Sequence, residues 1–426
     1  MNADKSLNLK NNDKNNINKL YFFGMLMWMI ASIFYGLDYL QHTIPSVLIE
    51  PIAKQIGVSY IDVANIMSIY FPVYAISQIP AGYLIDRFGL KITLFAACLV
   101  VTIGLFMMLA PYLSAILIGR VFIGIGSAFA FIGALKTASI WLPENRFSLF
   151  LGITQMIGVI GGLLGQTLIT YLIKIDGWQG AIHYIFIFGL TWSFIILFFL
   201  KNNKKVKVKL SENKKNQSIK FLIVLLKDKN IWLLALYAGI IVGTIMSTFA
   251  ELYDIIFLTD SFNITKTDAA YISSFIFIGV GIGAPLHGIL INYFKSQKTY
   301  LILNGFLALI VFACVPLSAL LSLNTFLLPG IFFILGFFTV SMLITFSIAK
   351  STHEEEHHGI IFAFINTIIG LSGFIFPILF GAIIKFILNH FQTNNQFIPT
   401  LFLLLIPIIA ALLVATQIKI KNNIIS

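Results

Sequence analysis

The sequence predicts an all-α membrane protein whose twelve transmembrane helices form two six-helix bundles. The first supporting observation is composition, because 58% of the 426 residues are hydrophobic and only 11% are charged. A soluble domain carries about 25% charged residues, so this composition excludes a globule surrounded by water. The second observation is a series of twelve long apolar runs, and the third is an internal repeat that divides them into two halves.

The apolar runs are long enough to cross a bilayer, since a helix needs about 20 apolar residues to cross a hydrocarbon core of about 30 Å. No signal-peptide cleavage pattern follows the first run, which is therefore predicted to stay as a transmembrane helix. We call the runs spans 1 to 12. They cover residues 20–48, 60–84, 92–110, 112–137, 148–173 and 178–200 in the first half, and 231–258, 267–291, 298–318, 325–348, 359–385 and 397–418 in the second.

The distribution of lysine and arginine predicts the orientation. With the N-terminus inside, 23 of the 28 lysines and arginines fall on the inner side and four fall in the outer loops. Positive residues prefer the cytosolic side of a membrane, so both termini are predicted to be cytosolic. The net charge of +11 then follows from topology, and no nucleic-acid partner is predicted.

An internal repeat defines the domains. Gly288-Ile289-Leu290-Ile291-Asn292 follows span 8 as Gly82-Tyr83-Leu84-Ile85-Asp86 follows span 2. Halves repeated in this way are typical of transporters with a substrate site near the middle of the membrane. The predicted domains are a cytosolic tail (1–19), a first bundle (20–200), a linker with ten lysines (201–230), a second bundle (231–418) and a cytosolic tail (419–426).

A charged turn, Gly82–Lys91, joins spans 2 and 3, and the chain nearby otherwise avoids charge. Its pattern, G-x-L-x-D-R-x-G-x-K, resembles the loop between helices 2 and 3 of the major facilitator superfamily of transporters, although Leu90 occupies a position that is usually basic there. The resemblance implies a secondary transporter that works by alternating access and needs no cofactor.

The same resemblance implies an inner gate. In such a gate Asp86 would approach the start of span 11 near His357–Ile360, and Arg87 and Lys91 would pair with Glu144. A helix N-terminus attracts an anion by about 0.3–1 kcal/mol, which is weak enough for a contact that breaks in every cycle. The implied gate residues are Gly82, Asp86, Arg87, Gly89, Lys91, Glu144 and Arg146.

Charged residues inside spans are costly, at least about 2.5–3.5 kcal/mol each at the bilayer centre. Asp38 in span 1 and Arg120 in span 4 should lie at similar depth, because these spans run in opposite directions. The pattern around Arg120, I-x3-R-x3-G-x-G, resembles the helix 4 signature of the same family, although Ile123 replaces its usual Gln. In the functional interpretation Asp38 takes up and releases a proton, while Arg120 tunes Asp38 or binds an anionic substrate group. The alternative is a permanent structural ion pair.

Span 7 carries two more acids. Glu251 is predicted to bind substrate or a proton, whereas Asp254, nearer the outer end, is predicted to lie at the membrane interface. On span 2, Tyr70, Tyr74 and Gln78 follow each other at intervals of four residues, which places them on one helix face. That face either lines the cavity or makes ordinary hydrogen bonds between helices.

The remaining candidates lie in spans 1, 4 and 5. Tyr35 precedes Asp38 by three residues in span 1. Gln155 and Gln166 stand among glycines of span 5 that partly resemble the exporter signature of the family, and close helix packing is the alternative role of this stretch. Lys136, at the inner end of span 4, either reaches the lipid headgroups or lines the inner mouth of the cavity.

The stretch His353–His357 fits the zinc-binding pattern H-E-x-x-H, but no third ligand is evident. We therefore predict no metal site and no enzyme activity. A solvated loop that opens span 11 is the favoured interpretation.

Together these features predict a secondary active transporter of a small polar organic solute, coupled to protons as a symporter. The stretches Gln78–Gly82 and Gly281–Pro285 resemble a bacterial branch of the family that includes phagosomal nutrient transporters. The resemblance implies an amino acid or a related metabolite as substrate and the cytoplasmic (inner) membrane of a bacterium as the location. Two alternatives stay open: proton-coupled export of drug-like or siderophore-like compounds, and a non-transporting membrane sensor. The predicted partners are the substrate, protons and membrane lipid, and the protein is predicted to be a monomer.

Overall fold

The computed structural model describes residues 2–202, 224–390 and 397–419, and every regular element within these ranges is helical. Ten of the helices are long and apolar enough to cross a membrane by length and composition. One of them, Glu144–Phe199, has 56 residues and accounts for two spans. The prediction of an all-α membrane protein is thus confirmed. Most of the predicted linker (203–223) and the end of the C-terminal tail (420–426) lie outside the described residues.

The first half follows the predicted order of spans. Its helices are Asn2–Thr43 (span 1), Pro45–Ile56, Tyr60–Ser68 and Tyr70–Phe88 (span 2), Leu90–Met108 (span 3), Leu113–Ser127 and Ala130–Trp141 (span 4), and Phe147–Phe199 (spans 5 and 6). The break between spans 5 and 6 falls at Gly177, whose φ of 70° and ψ of 177° interrupt the helix. Glycine adopts a positive φ without the steric cost that a Cβ would add.

The second half contains an irregular span 7. Lys229–Ile241 is α-helical, Val242–Tyr253 is a π-helix of 12 residues, and Asp254–Phe262 is α-helical again. The other helices are Lys266–Leu290 (span 8), Gln297–Leu320 (span 9), Leu328–Thr339 and Met342–Thr352 (span 10), His358–His390 (span 11), and Phe397–Leu403 and Leu405–Gln417 (span 12). Short 3₁₀ turns lie at Glu144–Arg146, Ile291–Tyr293, Thr325–Leu327 and Glu355–His357.

The chain divides into two compact units. Unit 1 comprises Met1–Tyr74, Leu84–Phe147 and Gly161–Lys209, and unit 2 comprises Ala75–Tyr83, Ser148–Ile160 and Leu210–Ser426. Short pieces of spans 2 and 5 are therefore grouped with the second half of the chain. The simpler division into bundles 20–200 and 231–418 stays a prediction.

Small residues bring the helices of each unit close together. In unit 1, a Cβ added to Gly104 of span 3 would lie 2.6 Å from the Gly119 carbonyl oxygen of span 4, and a Cβ on Gly119 would meet the Gly104 oxygen equally closely. In unit 2, Gly279 of span 8 and Gly336 of span 10 likewise leave no room for a Cβ against the backbone of the facing helix. Such close approach is how membrane helices gain van der Waals contact.

Candidate functional site

Asp38 of span 1 and Tyr70 of span 2 form a buried hydrogen bond in unit 1. The Tyr70 hydroxyl donates to Asp38 Oδ1 at 2.6 Å. Asp38 is 3% exposed and Tyr70 2% exposed, so the carboxylate is almost completely removed from solvent. A hydrogen bond with an ionised partner is stronger than a neutral one, and Tyr70 therefore fixes the position of the acid.

Arg120 of span 4 lies on the other side of Tyr70. Its guanidinium carbon is 4.8 Å from the centroid of the Tyr70 ring, within the range of a cation–π interaction. Nε donates to the Met67 carbonyl oxygen at 3.0 Å, and Nη1 donates to the Gln41 carbonyl oxygen at 3.1 Å. The side chain is completely buried.

The Met67 and Gln41 carbonyl groups can accept hydrogen bonds from Arg120 because each lies near the end of a helix. Met67 lies in the last turn of Tyr60–Ser68, and Gln41 lies in the last turn of the helix that ends at Thr43. The last four carbonyl groups of a helix have no partner within it, and the C-terminal end carries partial negative charge. Two helix ends thus create a site for a cation, and Arg120 occupies it.

Asp38 and Arg120 contact the same residue, but no direct ion pair joins them among the described residues. The alternative prediction for these two residues was a permanent ion pair between them, and the observed contacts differ from it. The third guanidinium nitrogen, Arg120 Nη2, has no hydrogen-bond partner within the described chain, and neither does the side-chain amide of Gln41, which is 0% exposed. Unsatisfied buried polar groups cost about 1–3 kcal/mol each, so this region is suited to accept polar atoms of a ligand.

Aromatic rings surround the buried acid and arginine. Tyr74 stacks on Tyr70 with ring centroids 5.5 Å apart, and Tyr35 packs edge-on against Tyr39 at 5.5 Å. His42, which the sequence did not single out, packs 5.9 Å from Tyr70. Its signal was its spacing of four residues from Asp38, which places both on one face of span 1.

The other predicted polar residues differ in burial. Gln78 is completely buried, and its side-chain amide has no hydrogen-bond partner within the described residues. Gln155 is 5% exposed, whereas Gln166 is exposed. Near Gln166, the glycine at 161 packs against the backbone of Gly36 in span 1, as the packing alternative for this stretch expects.

The two acids of span 7 have opposite environments. Glu251 is exposed on the π-helix, whereas Asp254, three residues later, is only 2% exposed. The position of Asp254 at the membrane interface stays a prediction. Its side chain is nevertheless enclosed by the protein, and it follows directly on the π-helix that carries Glu251.

Gly82 of the charged turn packs against the start of span 11 within unit 2. A Cβ added to Gly82 would lie 2.6 Å from the Gly359 carbonyl oxygen and 2.6 Å from Ala363 Cβ. Glycine is therefore the residue that allows this approach.

Asp86 forms a buried ion pair with Lys136 in unit 1. Lys136 Nζ lies 3.1 Å from Asp86 Oδ1, and the side chains are 4% and 9% exposed respectively. Lys136 therefore does not extend to the headgroup region, which was one of its two predicted roles. Sequence analysis did not identify this partner, because 50 residues separate the two positions and no pattern connects them.

The remaining basic residues of the gate make local contacts. Arg87 lies over the Phe88 ring, with its guanidinium carbon 5.0 Å from the centroid. Arg146 is exposed and donates to the Tyr21 hydroxyl at 3.1 Å. Glu144 is exposed and forms no ion pair with another described residue, so its implied pairing with Arg87 and Lys91 is not seen.

Asn202, just after span 6, caps the helix that follows the charged turn. Its side-chain oxygen accepts a hydrogen bond from the Lys91 backbone N–H at 3.1 Å. Gly89, the residue before this helix, has a φ of 83°, and a Cβ there would lie 3.1 Å from the Asn202 side chain. Gly89 thus supplies both the backbone conformation and the space that the cap requires.

We expect Asn202→Ala to lower the free energy of unfolding by about 1 kcal/mol, because the first turn of the Leu90–Met108 helix loses an acceptor. Asn202→Asp should retain the cap, since a carboxylate is favourable at a helix N-terminus. Thermal unfolding of the purified protein in detergent measures the difference. Equal midpoints for the alanine and aspartate variants would contradict the capping role.

Comparison with known proteins agrees with this architecture. The family model of the Major Facilitator Superfamily matches residues 20–377 and, in a second match, 252–421. The solved structure of the fucose:proton symporter FucP of E. coli superposes with a TM-score of 0.72 over 93% of this chain and 99% of that one, at 15% sequence identity. This similarity establishes a shared fold.

Two curated relatives are similar over part of their length. The galacturonate transporter of Dickeya chrysanthemi is 27% identical over 189 residues, which is 43% of this chain and 54% of the relative. MdtD of Pectobacterium atrosepticum, which carries the name of a multidrug resistance protein, is 30% identical over 166 residues, or 38% of this chain and 34% of the relative. The matched segments thus span between about a third and a half of these proteins. The family match covers nearly the whole chain, and this protein belongs to the Major Facilitator Superfamily of membrane transporters.

Proposed function

We propose that this protein is a proton-coupled symporter of a small polar organic solute that carries an anionic group. It would work by alternating access as a monomer in the bacterial cytoplasmic membrane, with both termini in the cytosol. The observation that carries the proposal is the buried cluster of Asp38, Tyr70 and Arg120, in which an acid and a cation share one tyrosine without pairing directly.

The charges of this cluster favour binding of a proton and an anion together. When Asp38 is ionised, its negative charge balances the positive charge of Arg120 nearby. When Asp38 takes up a proton, Arg120 is left as a buried cation, and an anionic group of the solute would restore neutrality. Each ligand then strengthens binding of the other by the same factor, and such coupling is typically about 1–3 kcal/mol. Mutual strengthening of this kind supports symport.

The binding geometry favours a carboxylate or a similar anion. Arg120 uses Nε and Nη1 for the carbonyl groups of Met67 and Gln41, whereas Nη2 has no partner within the described residues and is available to donate to another acceptor. A guanidinium binds planar anions well because its donors form a rigid fork. The relative from Dickeya chrysanthemi is named for galacturonate, a sugar acid, which supports this substrate class. An amino acid, as the resemblance to the phagosomal nutrient transporters implies, would also supply a carboxylate.

The similarity to a fucose:proton symporter supports proton coupling. Export of a drug-like or siderophore-like compound is the second candidate, and the match to MdtD favours it. The aromatic rings around Tyr70 would suit either substrate class, because they offer apolar surface beside hydroxyl groups. The direction in which a proton gradient drives the solute distinguishes symport from export.

Uptake into proteoliposomes tests the proposal. Purified protein in vesicles with an alkaline interior would be offered matched pairs of solutes, such as galacturonate with galactose, and a panel of amino acids. We expect accumulation of an acid but not of its neutral counterpart, and loss of that accumulation with a protonophore. Accumulation only when the vesicle interior is acidic would support export, and no flux of any solute would favour a sensor.

For the gate, we expect Asp86→Asn to lower transport more than it lowers the amount of protein in the membrane. The substitution removes the buried ion pair with Lys136 and the anion that would approach span 11. Lys136→Met should lower stability more than Asp86→Asn does, because an asparagine oxygen can still accept a hydrogen bond from Lys136, whereas methionine offers Asp86 no donor. Removing one partner of a buried ion pair outright typically costs about 3–5 kcal/mol. The double variant should recover part of that loss.

Initial uptake rates, normalised to protein quantified by immunoblot, measure this effect. Glu50→Gln is the matched control, since Glu50 is exposed, lies outside the implied gate and forms no ion pair with a described residue. Unchanged uptake in Asp86→Asn would refute the gate role.

A further inference from the structure

Asp254 is a buried acid that the proposed symport mechanism does not use. It begins the helix Asp254–Phe262 at the end of the π-helix in span 7, and it is 2% exposed. Its neighbours Phe257 and Leu258 on the same helix are completely buried. Oδ1 accepts a hydrogen bond from the Ile255 backbone N–H at 2.6 Å, whereas Oδ2 has no hydrogen-bond partner within the described residues.

No cation compensates this carboxylate in the part of the chain that the structure describes. The helix Asp254–Phe262 packs against span 8 and against Phe397–Leu403 of span 12. From span 8 the uncharged Ser273 hydroxyl acts on the carboxylate as a weak hydrogen-bond donor, and the titratable group that acts on it is Glu251, another acid. No salt bridge to Asp254 is formed by a described lysine, arginine or histidine.

A proton bound to the Asp254 carboxylate would lower the free energy of this buried site. The effective penalty for burying an unpaired ion in a protein is several kcal/mol, and a neighbouring acid increases it. Oδ2 is therefore best satisfied when it carries a proton. Ionisable residues inside membrane helices are functional candidates by default, and proton relays are one of their known uses.

Glu251 is an exposed carboxyl group close in sequence that can exchange this proton with the surroundings. π-Helices usually appear as single turns and often mark functional sites, whereas this one runs over 12 residues, Val242–Tyr253. Glu251 lies on it and is exposed, three residues before the buried Asp254. A proton can pass between the two when the O–H bond of Asp254 breaks and one forms on the Glu251 carboxylate, either directly or through water.

We propose that Asp254 is a second proton-binding site, loaded and unloaded through Glu251 only in transport cycles in which Asp38 also takes up and releases its proton. This inference rests on the proposed symport. The alternative is a purely structural role, in which the Asp254 carboxylate only satisfies the Ile255 N–H at the start of the helix.

The variant Asp254→Asn separates the two roles, because its amide oxygen can still accept the Ile255 N–H but cannot titrate. The probe is galacturonate, or the acid that accumulates most in the solute panel. The ratio of protons to solute would be measured in proteoliposomes from the balance point of opposing pH and solute gradients. With two sites we expect the ratio to fall by about half in Asp254→Asn, with solute exchange at equal pH retained. Asp260→Asn, an exposed acid on the same helix, is the matched control and should leave the ratio unchanged.

An unchanged ratio in Asp254→Asn would overturn the second site and leave the structural role. A wild-type protein that moves solute without protons would instead contradict the proposed symport itself, so the two failures are distinguishable. If Asp254→Asn does not reach the membrane, the wild type supplies the test. A hydrophobic carbodiimide reacts with a protonated carboxyl group, and mass spectrometry should find the adduct at Asp254 but not at Asp260. An unlabelled Asp254 would overturn the inference.

Discussion

Arg120→Lys is expected to reduce transport by about tenfold to a hundredfold although it keeps the positive charge. Arg120 binds two backbone carbonyl groups, of Met67 and Gln41, and also lies over the Tyr70 ring. A lysine ammonium is a single point of charge and cannot make all three contacts with one geometry. A hydrogen bond that involves a charged group is worth about 1.5–3 kcal/mol, and losing one accounts for the expected factor.

Initial uptake rates of the variant and the wild type, normalised to protein amount, measure this loss. The control is Lys54→Arg, because Lys54 is an exposed cation outside both the buried cluster and the implied gate. Near-normal uptake in Arg120→Lys would show that only the positive charge at this position matters. It would contradict the proposal that the planar guanidinium group binds the anionic group of the solute.

Asp38→Asn is expected to abolish accumulation driven by a pH gradient while solute exchange at equal pH continues. The asparagine oxygen can still accept the Tyr70 hydroxyl, so the geometry of the cluster is preserved. The site would then stay in the uncharged state that favours the anion, and no proton would be released on the inner side. Energy from the proton gradient could no longer be used, because coupling requires a group that changes protonation during the cycle.

Two assays on the same proteoliposomes measure this result: counterflow at equal pH and uptake with an alkaline interior. Asp62→Asn serves as the control, since Asp62 is an exposed acid on span 2. Accumulation by Asp38→Asn equal to that of the wild type would assign proton coupling to another residue, and loss of both activities would indicate that the variant disrupts the site.

The architecture could be predicted from the sequence because the bilayer imposes strong rules on composition. Long apolar runs such as 298–318 leave few alternatives to a transmembrane helix. Asp38 and Arg120 stood out for the same physical reason, since charge inside a span is costly and needs a partner. The structure brings both to Tyr70, which the sequence had placed on the same helix face as Tyr74.

What the sequence could not provide depends on backbone atoms and on long-range contacts. The partners of Arg120 are carbonyl groups, which every residue has, and they became available because one helix ends at Ser68 and another at Thr43. The ion pair of Asp86 with Lys136 joins distant parts of the chain without a motif. The opposite exposure of Glu251 and Asp254, three residues apart, occurs at the end of a π-helix, which regular helical periodicity does not anticipate.

Proton movement caused by the solute tests the central claim most directly. Proteoliposomes without any initial pH gradient would be placed in weakly buffered medium, and galacturonate or the best acid from the panel would be added while a pH electrode records the outside. A proton symporter that uses Asp38 predicts alkalinisation of the medium on solute addition, with no response in Asp38→Asn. Acidification of the medium, or solute entry with no pH change in the wild type, would contradict the account.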